Sequence, residues 1–313
     1  MPEGIKNALL IYNPTSGRRR KRRFEEIEKA VRILKDAGTT IEIAATTAPG
    51  TAQALAQLAV QQRQDLVIAC GGDGTVNEVV NGLAGSQLPM ALLPAGTANI
   101  LAKELGIPWD IPHAARLIPG GIVRRIALGL ASAVSENGRR SDPPGRYFLC
   151  VGGAGPDGAI VNGVDEIFKK NAGIVAYWVE GLKQLFRYDF PEMRVFSGGQ
   201  ERRATIIVIG RTAHYGGPFK ITTEASLFED SFEMLTNSST SRLQYLACLP
   251  ALWMGKLRGR KGIDTWKDAE VVCEPADDRM VYAQVDGEPI GALPLAFRIV
   301  PDALSIVVPA VKK

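Results

Sequence analysis

The sequence predicts an α/β domain with a mostly parallel sheet, followed by a second domain of antiparallel β-structure. Three observations carry this. Early in the chain, short near-continuous apolar runs alternate with stretches of helical period, the pattern of a parallel sheet covered on both faces. In the second half, apolar runs are separated by turn residues and convincing long helices are few. The chain has 313 residues, more than the roughly 100–200 of a single domain. The boundary is placed in the region 120–135, where Pro119-Gly120-Gly121 punctuates the chain, giving domains 1–128 and 129–313. A return of the chain end to the first domain is left open.

The elements follow in order. Ala8–Tyr12 is a short apolar strand that ends at Asn13-Pro14-Thr15-Ser16-Gly17. A helix is expected from Phe24, with Ile27, Val31 and Leu34 near the helical period and Ala37-Gly38 as its stop. Ile41–Thr46 is the second strand. Thr51 opens an alanine-rich helix whose core face is read as Leu55, Leu58 and Ala59. Leu66–Cys70 is a third strand running straight into glycines. A helix from about Val76 carries Val79, Val80 and Leu83, and Met90–Pro94 is a fourth strand before a helix through Leu101 and Leu105. In the second half, 204–210, 270–273, 281–285 and 304–308 read as strands, and 136–145 as an exposed hairpin loop. The stretch 172–190 has helical spacing and many aromatics. It reads as a helix packed on the β domain or as a lipid-facing amphipathic surface.

Composition narrows the function classes. Hydrophobic residues make up 46% and charged residues 22%, enough for a sizeable core. A formal charge of +4 is too mild to argue for nucleic acid, and no recognition motif supports it. No apolar run reaches the length of a membrane span, and the N-terminus lacks the apolar core of a signal peptide, so a cytoplasmic location is expected. Cys70, Cys150, Cys248 and Cys273 are scattered without a CxxC, and are expected as free, mostly buried thiols. With only His113 and His214, a zinc site or a Ser-His-Asp hydrolase has few candidates.

Three loops at strand ends carry the chemistry. Gly71-Gly72-Asp73-Gly74-Thr75-Val76-Asn77-Glu78 begins where an apolar strand stops and leads into a helix. Glycines let the backbone approach a ligand, and a helix N-terminus offers N–H groups to phosphate. Thr75 with Glu78 fits a capping box, leaving Asp73 to face a cation or hydroxyl. The spacing is neither the dinucleotide fingerprint nor the P-loop. Pro94-Ala95-Gly96-Thr97-Ala98-Asn99 follows another strand, and Asn13–Gly17 the first. Loops at neighbouring carboxyl ends of an α/β sheet are expected to form one crevice. Arg18–Arg23 is six consecutive cations, read either as a solvated helix start or as attraction for phosphates or anionic headgroups. Val285-Asp286-Gly287-Glu288 reads first as a hairpin turn, although Asp286 and Glu288 on an extended segment would point the same way.

These motifs, in this order, resemble the diacylglycerol kinase catalytic-domain family, which includes bacterial soluble diacylglycerol kinases, YegS-like lipid kinases and sphingosine and ceramide kinases. The resemblance covers nearly the whole chain. It implies a phosphofructokinase-like α/β domain that binds the nucleotide and a C-terminal β-sandwich that receives the lipid, with the active site in the cleft. It implies ATP and Mg²⁺ as cofactors and transfer of the γ-phosphoryl group to a hydroxyl of a lipid such as diacylglycerol. By the same resemblance, Asn13, Thr15, Gly71, Gly72, Asp73, Gly74, Thr75, Gly96, Thr97 and Asn99 bind the nucleotide. The catalytic residues implied are Glu288 as general base, with Asp286 and Asp73. Asp73, Glu224 and Glu229 are the metal candidates. The implied partner is a lipid at a membrane surface, met by transient peripheral association, with a homodimer left open.

Some positions depart from the family pattern. Ile100 follows the second-loop Asn where bacterial members usually have Asp, and Ala127 stands where an aspartate is usual. The structural-magnesium stretch of the family corresponds here to 224–233, with Asp230 in place of the turn glycine. The alternatives are therefore a catalytically degenerate nucleotide- or lipid-binding homologue, or an NAD kinase, which shares a Gly-Gly-Asp-Gly loop.

Overall fold

A computed structural model describes residues 5–17, 20–134, 145–163, 188–216 and 219–310. The chain divides into two compact units, Met1–Leu128 with Pro301–Lys313, and Gly129–Val300.

The first unit is an α/β layer structure. In chain order it holds β1 (Asn7–Tyr12), α1 (Arg20–Asp36), β2 (Thr40–Ala45), α2 (Thr51–Gln61), β3 (Leu66–Gly71), α3 (Asp73–Leu83), β4 (Met90–Pro94), α4 (Ile100–Glu104) and α5 (Ile111–Leu117). β1 pairs in parallel with β2 and β3, and β3 with β4. The last residues of β18 (Leu295–Val308) complete the set, with Ile306 opposite Met90. β3 and β4 are buried at every residue, as unbroken apolar runs covered on both faces require.

Two helices differ from the sequence reading. α1 begins at Arg20, and Ile27, Val31 and Leu34 are buried as their spacing predicts, while Phe24 is exposed. The buried face of α2 is Ala52, Ala56 and Ala59, with Leu58 outside. The reason is close approach to α3. A Cβ on Gly82 would lie 2.6 Å from the Gln53 carbonyl and 2.7 Å from Ala56 Cβ. A leucine on that face has no room. α5 has no counterpart in the sequence pattern, although its start carries a signal: Asp110 accepts the His113 N–H at 2.8 Å, and Pro112 sits in the first turn.

The second unit is an all-β sandwich. Its first sheet has the order β14 (Ile263–Asp268), β13 (Phe232–Asn237), β10 (Ile206–Gly210), β7 (Val151–Ala154), β16 (Tyr282–Val285) and β17 (Glu288–Ala292), antiparallel throughout. Opposite it, the start of β18 pairs antiparallel with β15 (Glu270–Pro275), then β8 (Met193–Ser197) and β9 (Gln200–Ala204). β5 (Ile122–Ala133) begins in the first unit and pairs in the second with β6 (Arg146–Phe148). The short pair β11 (His214–Gly216) and β12 (Phe219–Lys220) stands apart.

The sandwich core is aromatic. Phe148 stacks on Phe232 at 5.6 Å and meets the edge of Phe297 at 6.2 Å, and all three are fully buried. A Cβ on Gly129 would overlap the Phe148 ring, so glycine is what admits it. Two helices belong to this unit, α6 (Pro156–Gly163) and α7 (Arg242–Trp253), the second of which the strand pattern did not suggest. The predicted loop 136–145, apart from Gly145, and the helical stretch 172–185 lie outside the described residues. No helix among the described residues is long and apolar enough to cross a membrane. The cysteines are free, with Cys70, Cys150 and Cys273 buried.

Candidate active site

In the first unit, strand register gathers the predicted loops. Tyr12 stands opposite Cys70, and Gly71 opposite Pro94. All three strands therefore end at the same edge, and the loops after them must meet. Main-chain bonds tie them: Asn13 N–H donates to Cys70 at 3.1 Å, and Ala95 N–H to Gly71 at 2.8 Å.

The meeting of these loops depends on glycine. A Cβ on Gly72 would sit 3.2 Å from Gly96 Cα, and one on Gly96 would overlap Gly72 Cα and approach Asn99 Oδ1 at 2.8 Å. Gly17, at φ +67°, would drive a Cβ into the Ala95 carbonyl. Short polar side chains fix the remaining geometry. Asn13 Oδ1 accepts both the backbone N–H and the hydroxyl of Thr15 at 2.9 Å, while Asn13 Nδ2 donates to Thr75 Oγ1 at 3.3 Å. Asn99, left-handed at φ 47°, accepts from Gly96 N–H at 2.8 Å and donates to the Gly96 carbonyl at 3.1 Å. Thr97 is half-buried between them.

The capping box is not formed. Gly72 is the N-cap of α3, with no side chain capping it. Glu78 instead reaches α2, accepting the Ala52 N–H at 3.0 Å. Asp73 is a clamp as well as a charge. Its carboxylate accepts the N–H groups of Asn99 at 3.0 Å and Ile100 at 2.7 Å, tying the two glycine loops together. The Ile100 bond is main-chain, so it does not depend on that side chain. Ala127 is buried within β5.

Two cations here were missed by the sequence reading. Arg23, the last of the run of six cations, fits neither reading of that run: it is buried and donates to the carbonyls of Ala95 at 3.0 Å and Ser16 at 3.3 Å, with Glu26 at 3.4 Å as its counter-charge. Arg18 and Arg19 lie outside the described residues. Lys103, one turn after Asn99, is near enough to Asp73 to feel its charge. Burial lowers its pKa, and Asp73 partly offsets that. A lysine four residues after the loop asparagine was the available signal.

In the second unit, Asp286 and Gly287 form a hairpin turn between β16 and β17, both at positive φ (48° and 79°), as the Asp-Gly pair requires. The Asp286 carboxylate accepts three backbone N–H groups, from Leu149 at 2.8 Å, Cys150 at 2.9 Å and Val151 at 3.0 Å. Glu288 opens β17 and is half-buried. Beneath the turn runs a buried chain. Gly287 N–H donates to Gln284 Oε1 at 2.8 Å, and Gln284 Nε2 donates to Asp157 Oδ2 at 2.7 Å. Asp157, fully enclosed, has its pKa raised by burial to about 7, against the lowering effect of the Gln284 bond. Nothing in the local sequence marks Asp157, because its partner is 127 residues away.

The 224–233 stretch does not fit a divalent cation. Its carboxylates and carbonyls already face the protein's own cations. Glu224 pairs with Arg258, and Glu229 with Lys267 at 2.7 Å. The buried Arg211 guanidinium donates to the carbonyls of Leu227 at 2.9 Å, Glu229 at 2.5 Å and Ser231 at 3.2 Å. Among the described residues, no group of three His, Cys, Asp or Glu side chains converges to hold a metal. Asp73 is a different case. A magnesium ion carried by a nucleotide takes most of its ligands from phosphate and water, and one carboxylate suffices.

Comparison with known proteins agrees with this arrangement. Residues 7–131 match the model of the diacylglycerol kinase catalytic domain, and residues 151–308 that of the YegS C-terminal NAD kinase beta sandwich-like domain. A diacylglycerol kinase of Bacillus subtilis (strain 168) is 28% identical over 298 residues, covering 94% of this chain and 93% of its own. A crystal structure from Bacillus anthracis str. Sterne, assigned as a diacylglycerol kinase, superposes with a TM-score of 0.78 at 23% identity, covering 98% of this chain and 97% of that one. Yeast NADH kinase complexed with NADH shares the fold more distantly, with a TM-score of 0.51 at 13% identity, covering 98% of this chain and 85% of that one.

Proposed function

The chain belongs to the diacylglycerol kinase catalytic-domain family, and from that premise we propose that it is an ATP-dependent lipid kinase. It moves the γ-phosphoryl group to a hydroxyl of diacylglycerol or a related lipid. The observation that carries this reading is the meeting of Gly72 and Gly96 at the uncapped start of α3. The close packing of the two loops at glycine leaves the first N–H groups of α3 without a side-chain cap, where phosphate oxygens can meet them.

In this reading the loops Asn13–Gly17, Gly71–Thr75 and Gly96–Asn99 hold the nucleotide phosphates, and Lys103 adds positive charge beside them. Asp73 would hold magnesium, which neutralises charge on the phosphates when bound. Glu288 takes the proton of the lipid hydroxyl as its oxygen bonds to the γ-phosphorus and the bond from that phosphorus to the β–γ bridging oxygen breaks, releasing ADP. No protein nucleophile is needed. Asp286, already engaged by three N–H groups, is a positioning residue that sets the turn from which Glu288 projects.

The test is labelled ATP with magnesium and a panel of lipids in mixed micelles, with NAD tested alongside, comparing the intact protein with Glu288→Gln. The expected result is label in an organic-extractable product that the variant forms far more slowly. Label in NAD, or in no acceptor, would overturn the proposal.

A further inference from the structure

Helix α7, with the loop after it, is inverted relative to an ordinary surface helix. Its sequence, RLQYLACLPALW, contains no acid and one cation, and only Ala251 among its residues is buried. Leu243 is 77% exposed, Trp253 68% and the following Met254 56%, with Leu249 also outside. Leu243, Leu249 and Trp253 fall on one side of the helix by spacing. The opposite side is fastened. Tyr245 stacks on Phe190 at 4.5 Å and bonds Thr205 Oγ1 at 2.7 Å, while Ala251 packs with Leu235 and Leu257. The apolar stripe is therefore held outward on a fixed base.

Cations stand at both ends of the helix and in the loop after it. Lys220, Arg242, Lys256, Arg260 and Lys261 are all exposed. Lys220 lies against Gly255 at the end of the helix. Arg258 is spent on Glu224, but among the described residues no carboxylate lies within ion-pair distance of the other five. An indole and leucines flanked by unpaired cations suit the headgroup boundary of an anionic bilayer. A second copy is the poorer occupant, because a two-fold interface would set these cations against their own copies.

We propose that α7 and the 254–261 loop form a docking surface for anionic lipid bilayers. The inference rests on no step of the phosphoryl-transfer reading, because binding is measured without turnover.

The experiment is co-sedimentation of the full chain with phosphatidylcholine vesicles, with and without phosphatidylglycerol. Two variants are compared, Leu243→Ser with Trp253→Ser, and Lys256→Glu with Arg260→Glu and Lys261→Glu. Leu243→Ser alone is the control for the first, and thermal melting checks that each is folded. The expected result is binding to phosphatidylglycerol vesicles that weakens with salt. The apolar variant loses affinity on both vesicle types, and the charge variant loses more than about tenfold on anionic vesicles only. Folded variants that bind like the intact chain would overturn the proposal, as would an intact chain that ignores both vesicles. A concentration-dependent dimer dissociated by the apolar variant would also overturn it, in favour of a second copy.

Discussion

The glycine loops of the first unit and the acidic turn of the second use an aspartate in the same way and surround it differently. Asp73 and Asp286 both spend their carboxylates on backbone N–H groups, two from Asn99 and Ile100 and three from Leu149 to Val151. Around Asp73 the neighbours are closely packed glycines and short polar side chains on loops that strand register has already brought together. Around Asp286 the support is a buried polar chain, Gly287 to Gln284 to Asp157, that joins distant segments. One region is built for close backbone approach and the other for a fixed turn.

The largest effect that would break this comparison is expected at Gly96. In Gly96→Ala the new Cβ overlaps Gly72 Cα, a backbone atom that cannot yield as a side-chain tip would. Overpacking of this kind costs about 1–3 kcal/mol, and here it falls where phosphates would enter. ATP affinity by calorimetry should be lost while the sandwich still melts cooperatively. Retained affinity would mean the loops do not need to pack so closely.

Asp286→Ala comes next. It strands three N–H groups, and leaving such donors without partners costs about 1–3 kcal/mol. The melting temperature of the second unit should fall, with nucleotide affinity unchanged. A loss of nucleotide affinity with no change in melting would reverse the roles assigned to the two aspartates.

Asp157 gives a smaller effect with a defined sign. Its folded pKa of about 7 lies above the ordinary 3.8, so the folded state holds the proton more tightly than the unfolded one. Stability from this group is full below the lower value, declines as pH rises towards the higher, and is flat above it. The slope is at most about 1.4 kcal/mol per pH unit. Denaturant melts from acidic to neutral pH should show the decline in the intact chain and lose it in Asp157→Asn. An identical slope in both would remove Asp157 as its source.

The smallest expected effect is none. With Arg211, Arg258 and Lys267 already facing the 224–233 stretch, the nucleotide-free protein should melt at the same temperature in EDTA as in magnesium. A drop in EDTA would put a divalent ion there after all.

These differences also explain what the sequence could reveal. The first-unit loops were readable because glycine, short polar residues and strand ends lie next to one another in the chain, and parallel register then brings them together. Within the same unit, the burial of Arg23 is not legible because a run of six cations hides which one turns inward. Leu58 was misread because hydrophobicity alone does not show that the close approach at Gly82 needs alanine. In the second unit the Asp-Gly turn was legible, but Asp157, Gln284 and Arg211 were not. Their partners are distant in sequence, and a lone buried polar residue leaves no local pattern. α7 was missed because its helix is apolar on both sides, without the periodicity that marks an amphipathic one.

The division of labour between loops and turn is tested most directly by measuring ATP affinity and phosphoryl transfer together in Glu288→Gln. The account predicts intact-chain affinity with turnover reduced by about 10²–10⁴, the range of a lost general base. Turnover preserved in a folded variant, or affinity lost along with it, would contradict the account.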